Sequence, residues 1–319
     1  MRVQRIVAAA LVAAFPSSAI APAFADSYPE RPVQIYVGTS AGGAVDTIAR
    51  GLAQDMGQML GGTFVVVNKE GDNGTIAATQ VVRSSPEGYT LGFGAAGPFV
   101  SDPYRPEGVP YTLDQVDFLC QLFEPAVALA VPRDSQIKSV ADFVAAAKRA
   151  PGVLTVGTVG PGSVPNIAIA LFEKEAGIQV NKIPYKGDAE NVTALLGGQL
   201  DAAVPGLTTV TGKGLPILGI FSSARATLYP EIPTMTELGY PVIKTGMVGL
   251  YAPKGLPEST RDKLANACRD VAKSGLTLQS VAERLRQEVR YLDPTAWRAR
   301  IIEDGHENQQ VMERLGIAR

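Results

Sequence analysis

The chain has 319 residues, 46% of them hydrophobic, and its 29 basic residues nearly balance 31 acidic ones for a formal charge of −2. That balance, with no basic run, argues against a nucleic-acid partner, and the length allows two domains with sizeable cores. Two cysteines and one histidine are too few for a zinc centre, so no metal is expected.

Residues 1–25 read as a secretory signal: Arg2 and Arg5 give the positive start, residues 6–15 the apolar stretch, and Ala23-Phe24-Ala25 the small-x-small cleavage site. Cleavage before Asp26 is expected to release a periplasmic protein. No later apolar run approaches the ~20 residues that span a bilayer, so no membrane insertion is expected. No cysteine stands at the cleavage site, which argues against a lipid anchor.

Tyr28-Pro29-Glu30-Arg31-Pro32 leads into a predicted strand at 33–37. The turn Gly38-Thr39-Ser40-Ala41-Gly42-Gly43 follows, and Val45, Ile48, Ala49 and Leu52 then recur at helical spacing, predicting a helix over 46–60. A strand entering a helix through such a turn leaves amide N–H groups unpaired at the positive end of the helix dipole, where they attract a carboxylate or phosphate. Gly42 and Gly43 lack a Cβ, so a ligand can approach the backbone. Thr39, Ser40, Ala41, Gly42, Gly43 and Asp46 are therefore candidate ligand residues.

Three enzyme patterns compete for this turn. Ala44 and Val45 stand where a P-loop needs Lys and Ser/Thr, and the turn is not G-x-G-x-x-G, so no nucleotide cofactor is expected. Gly38-Thr39-Ser40-Ala41-Gly42 does fit the G-x-S-x-G elbow of serine hydrolases. Its base would be His306, with Asp293 before it. An elbow on the first strand, however, has no earlier strand to supply an oxyanion loop. Ser40 is thus read as a ligand-contacting hydroxyl and the chain as no enzyme, with exported serine hydrolysis the alternative.

A strand at 63–68, a helix at 76–84 and a strand at 90–94 complete a βαβαβ pattern, the mark of a doubly wound α/β sheet. Ala95-Ala96-Gly97 follows the last strand's carboxyl end, where open α/β sheets bind ligands, which adds Ala96 and Phe99 as candidates. Residues 95–114 otherwise read as irregular. Strand-like runs at 118–123 and 126–131, interrupted by Glu124-Pro125, mark a crossing into a second domain. Cys120 lies in the first run and Cys268 on a predicted helix. An oxidising compartment would permit pairing, but the favoured reading is two separate buried thiols.

The pattern then restarts, with a helix from Ser139 to Lys148 and a strand at 154–157. The turn Thr158-Val159-Gly160-Pro161-Gly162-Ser163 leads into a helix over 165–176, with Ser163 as cap and Pro165 in the first turn. Two amide-lined turns can grip a ligand from opposite sides of a cleft, so Thr158, Val159, Gly160, Pro161, Gly162 and Ser163 form the second candidate set. Strands are expected at 180–183, 200–204 and 217–221, a helix at 188–196, and a short helix after Pro230-Glu231-Ile232-Pro233-Thr234. The apolar run 247–252 reads as the return crossing, followed by helices at 257–273, 276–287 and 295–315.

These motifs resemble the periplasmic substrate-binding proteins of tripartite tricarboxylate transporters, often called Bug receptors. The matching stretches include Ala41-Gly42-Gly43-Ala44-Val45-Asp46, Pro86-Glu87-Gly88-Tyr89-Thr90-Leu91, Pro184-Tyr185-Lys186-Gly187, Leu195-Leu196-Gly197-Gly198-Gln199-Leu200-Asp201, Pro230-Glu231-Ile232-Pro233-Thr234 and Leu250-Tyr251-Ala252-Pro253-Lys254-Gly255. The resemblance implies a two-lobed, type II-like Venus-flytrap fold, each lobe a doubly wound mixed sheet with helices on both faces. Lobe 1 would comprise 26–125 plus 249–319 and lobe 2 would comprise 126–248. It implies capture of a small carboxylate (a di- or tricarboxylate or an aromatic acid) by a monomer and delivery to membrane permease subunits. A receptor read by a sensor kinase would need the same closure. The family's ligand loops fall on 39–46 and 158–163, with Asp46 bordering the ligand as an acceptor. Neither loop holds an Arg, which fits an anion held by neutral donors. Gly38-Thr39-Ser40 stands where Pro-Phe is usual, suggesting a roomier or more polar pocket; Asn166 replaces a His, and Val204-Pro205-Gly206 replaces a polar position.

Overall fold

Strand β1 (Val33–Val37) sets the first sheet, because side chains alternate across a strand and Val33, Ile35 and Val37 are fully buried. The computed structural model describes residues 28–318, so the expected signal lies outside the described residues. Helix α1 (Ala44–Leu60) returns over the sheet, turning Ile48, Ala49, Leu52 and Met56 inward at helical spacing. It stops at Gly61, whose left-handed backbone (φ 67°) lets its N–H reach the Gly57 carbonyl. β2 (Phe64–Asn68), α2 (Thr75–Val82) and β3 (Thr90–Ala95) complete a parallel unit in which β1 lies between β2 and β3.

After the short α3 (Gly97–Val100), β4 (Val116–Phe123) ends the first pass through this lobe. The chain crosses and builds β5 (Ala128–Ala130), α4 (Val140–Arg149), β6 (Thr155–Val159), α5 (Val164–Ala176), β7 (Asn181–Tyr185) and α6 (Asp188–Leu196). β8 (Ala202–Ala203), α7 (Leu207–Val210) and β9 (Ile217–Ile220) finish the second lobe. Its sheet runs β7-β6-β8-β5-β9, with β6 parallel to β7 and β8, and β5 antiparallel to β8 and β9.

The return strand β10 (Val248–Pro253) inserts antiparallel between β3 and β4. α8 (Glu258–Ser274), α9 (Leu276–Arg284), β11 (Val289–Leu292) and α10 (Pro294–Arg314) follow. The first sheet is thus β11-β4-β10-β3-β1-β2. Both sheets are mixed, as expected for a two-lobed α/β solute-binding fold.

Two expectations need correction, and one short strand lies where none was foreseen. Cys120 and Cys268 form a disulfide, with Cα atoms 6.5 Å apart. The helical phase of α8 brings Cys268 against β4, within the core that also holds Leu119, Leu264 and Val271. The stretch after 287 contains the edge strand β11, pinned to β4 by Gln121 Nε2 donating to the Arg290 carbonyl (3.2 Å). No helix follows Thr234: the Glu237 carboxylate accepts the Thr234 N–H (2.8 Å) and the chain makes turns to Gly239 instead.

The two crossing segments pair with each other. Ala126 bridges Thr245 in antiparallel fashion, and the Gly246 N–H donates to the Pro125 carbonyl at 2.8 Å. α10 lies across this paired hinge. Its Trp297 and Ile301 pack into the first lobe, while Val311 and Met312 pack against Ile167 and Ala170 of α5 in the second. Each fully buried side chain of this size contributes ~1.5–3 kcal/mol, so both attachments are substantial.

Candidate functional site

A cavity of about 430 Å³ opens between the lobes, walled by the two crossing segments at its back. From the first lobe, Val45 at the start of α1, Ala96 and Gly97 beyond β3, and Ser101 beyond α3 reach it. The second lobe contributes Val159, Gly162, Ser163 and Val164 at the start of α5, together with Asp188 and Gly206. Most of this lining is aliphatic, and no aromatic side chain takes part.

The second turn is a capped helix start. Ser163 caps α5: its Oγ accepts the Asn166 N–H at 3.3 Å and donates to the Gly160 carbonyl at 2.9 Å. Pro165 fits the first helical turn because the N–H it lacks would have had no helical partner. With Pro165 lacking an N–H and the Asn166 N–H taken by the cap, Val164 is left as the first-turn amide without an intrahelical acceptor, at the positive end of a 13-residue helix. Gly162 has φ +74°, and a Cβ there would lie 3.5 Å from Met312 Cε, so this turn rests directly on α10. Of this set, Val159, Gly162 and Ser163 line the cavity. Gly160 and Pro161 lie outside it, and Thr158 is buried behind it with its Oγ1 unpartnered.

The first turn is arranged differently. A Cβ on Gly38 would fall 2.5 Å from Gly74 Cα, so glycine is required where the two loops meet. Thr39, Ser40, Ala41, Gly42 and Gly43 are exposed and outside the cavity lining. Two amides expected to be free are engaged inside the turn: Gly42 N–H donates to Asp46 Oδ2 (2.8 Å) and Gly43 N–H to the Ser40 carbonyl (3.3 Å). Asp46 is 2% exposed and faces inward. Arg50 donates to both of its carboxylate oxygens (2.9 Å each), and Asn68 Nδ2 donates to its Oδ1 (2.9 Å) and to the Thr39 carbonyl (2.9 Å). Burial alone would raise the Asp46 carboxyl, but the bonds from Arg50, the Gly42 N–H and Asn68 outweigh it and hold it below the usual carboxylate range. Asp46 therefore braces the turn.

Ala96 lines the cavity and its N–H is fixed by the Met247 carbonyl (2.9 Å). Phe99 points away into an aromatic cluster, 5.2 Å from Phe118 and 4.9 Å from Tyr251 between ring centroids. Among the described residues Ser40 has no imidazole partner, and no group of residues is suited to hold a metal.

Several lining residues were not expected from sequence. Lys244, on the returning segment, is 1% exposed at its side chain, and its Nζ donates to Asp304 Oδ2 (3.0 Å) and Glu307 Oε2 (2.9 Å) of α10. One turn earlier, Arg300 binds Glu124 (2.8 Å) and the Thr245 hydroxyl, joining both crossing segments. Asn308 Nδ2 donates to the Val100 carbonyl (3.1 Å) and Ser101 Oγ (2.9 Å). Arg300, Asp304, Glu307 and Asn308 recur at the three- and four-residue spacing of one helix face, a sequence signal for a face that meets something. Asp188 Oδ2 accepts the Gly206 N–H (2.8 Å); burial raises this carboxyl, with the bonds from Gly206 and Thr209 opposing.

The family described as the tripartite tricarboxylate transporter family receptor matches residues 48–315. A protein in the gbd 5′ region of Cupriavidus necator is 32% identical over 98% of this chain and 96% of its own length. Protein BugT of Bordetella pertussis is 32% identical over 74% of each. Among solved structures, a TctC solute-binding protein from Polaromonas superposes with a TM-score of 0.80 at 27% identity, covering 90% of this chain and 99% of that one. The periplasmic binding protein BugD superposes at 0.73 and 28% identity, covering 91% and 99%. MatC of Rhodopseudomonas palustris, solved with bound malate, superposes at 0.72 and 25% identity, covering 89% and 99%. With its two mixed sheets, paired hinge and interlobe cavity, the chain belongs to the tripartite tricarboxylate transporter receptor family, whose members are solute-binding receptors and not enzymes.

Proposed function

We propose that this protein is an exported, periplasmic, monomeric receptor that captures a small carboxylate between its lobes and delivers it to the permease subunits of a tripartite tricarboxylate-type transporter. The observation that carries this reading is the capped start of α5, where Gly162, Ser163 and Val164 line a cavity walled by both lobes. The malate in MatC is consistent with an acid at such a site. Export would follow removal of residues 1–25; among the described residues no helix is long and apolar enough to cross a membrane. The moving bodies are residues 26–125 with 249–319, and residues 126–248.

Capture needs no bond chemistry. The open lobes sample closure, and an acid that contacts both lobes binds the closed form better and shifts the population towards it. Val159, Gly162 and Ser163 hold the anion from lobe 2, with Ala96 on lobe 1's wall and Phe99 packed behind it; Thr158, Gly160 and Pro161 shape the turn from outside the cavity. Residues 39–43, braced by Asp46, close over it as a rim. A Cβ at Gly43 would meet only the Ser40 carbonyl, at 3.3 Å, so Gly43→Val leaves the fold intact while crowding that rim. Calorimetric titration with the acid that most raises the melting temperature in a carboxylate screen should show at least tenfold weaker binding by Gly43→Val. Unchanged affinity removes the first turn from the site, and a screen in which no carboxylate binds removes the function.

A further inference from the structure

We propose that the lobes carry a latch behind the hinge, which holds the receptor open and sets how tightly it binds. The proposal rests on the capture by closure described above and adds residues, outside the ligand cavity, that oppose it. Strand order gives the direction. In the first sheet, β3 and β1, which lead to the ligand cavity, lie on one side of the crossing strands β4 and β10, and β11 lies on the other. In the second sheet, β8 and β6 lie on one side of the crossing strand β5, and β9 lies on the other. The stretches before β11 and after β9 therefore meet across the hinge from the ligand cavity. They help wall a second cavity of about 250 Å³, and Pro125 and Ala126 of the outward crossing line both.

Three consecutive residues on the first lobe's side bond across to the second. The Arg286 guanidinium donates to the Tyr229 hydroxyl (3.3 Å), and Gln287 Nε2 donates to Thr208 Oγ1 (3.1 Å). Glu288 Oε1 accepts the N–H groups of Thr227 and Leu228, the latter at 3.3 Å, while Arg290 holds its other oxygen at 2.7 Å. The backbone is shaped for this contact. Arg286 has φ +53°, the left-handed conformation that glycine usually supplies after a helix, and the Gln287 N–H turns back to the Ala282 carbonyl (2.9 Å). An arginine adopts it at a cost, in a turn that sets residues 286–288 against the facing lobe. A rotation about the crossing segments that brings the start of α1 towards the start of α5 draws these stretches apart, so their bonds belong to the open form. Bonds made only in the open form lower the closed-competent fraction, and the apparent dissociation constant rises in proportion. Arg286, Gln287 and Glu288 do not line the ligand cavity, so removing their bonds reaches affinity only through this equilibrium.

The test uses the intact protein and the carboxylate that most raises its melting temperature. Glu288→Ala and Gln287→Ala should each bind that acid roughly three- to tenfold tighter than wild type in calorimetric titration. Small-angle scattering should give each ligand-free variant a smaller radius of gyration than ligand-free wild type. Arg286→Gly, which suits the left-handed backbone already present, should move both readouts the same way and keeps a folded variant in hand. The proposal is overturned if the variants bind no tighter than wild type, or if their ligand-free scattering matches it, as bonds that persist through closure would require. If no carboxylate binds the wild-type protein, the capture reading falls and the ligand-free scattering alone decides the latch: compaction of the variants supports it, and an unchanged radius overturns it.

Discussion

Asp46 shows how one residue can serve a site without touching its ligand. Its carboxylate receives the Gly42 N–H, both arms of Arg50, and Asn68, which in turn holds the Thr39 carbonyl. Asp46→Ala should therefore destabilise the protein by about 2–3 kcal/mol in urea unfolding, since it strands buried donors while Arg50 can still reach water. Because the folded carboxyl titrates below its unfolded value, its contribution is present above about pH 4 and is lost as pH falls through the folded pKa. Wild type and Asp46→Ala should accordingly converge in stability in acid and diverge towards neutrality; a constant gap would argue against this assignment. The sequence pointed to Asp46 through its place after the glycine turn, but not to its direction. That depends on Asn68, which a parallel strand pairing brings beside it.

Among the elements, the start of α5 was the most legible. Ser163 before Pro165, with glycines ahead, is a local code for a capped helix, and the cap bond forms as that code requires. Ser163→Ala should cost about 1 kcal/mol through loss of the cap, and should weaken acid binding by releasing the Gly160 carbonyl. Full stability with full affinity would show that the turn is held by its contact with Met312 alone. α10 was legible as a helix yet silent about its task. Which partners its polar face finds, Lys244, Glu124 and Thr245, is decided by how the two lobes assemble around the crossing segments. The edge strand β11 was hidden for a related reason: four residues carry little periodicity, and β4 supplies the pairing that defines it.

At the scale of the molecule, alternation of strand, turn and helix announced two α/β units, whereas the Cys120–Cys268 link could not be read from spacing because 148 residues separate its ends. A loop of that length gives about 5 kcal/mol of stabilisation by chain entropy, before any strain. The double variant Cys120→Ser with Cys268→Ser should lose most of this in denaturant unfolding. Its acid affinity at a temperature where it remains folded should be little changed, since neither sulfur lines the cavity. A variant as stable as wild type would assign the link a minor role.

The same link has a topological meaning. Cys120 precedes the outward crossing and Cys268 follows the return, so all of the second lobe is a bight of chain tied at its base. A protease that nicks the second lobe at any single bond leaves two fragments that still travel as one species. They part only when a reductant opens the knot, and until then the first lobe keeps both of its chain segments in register.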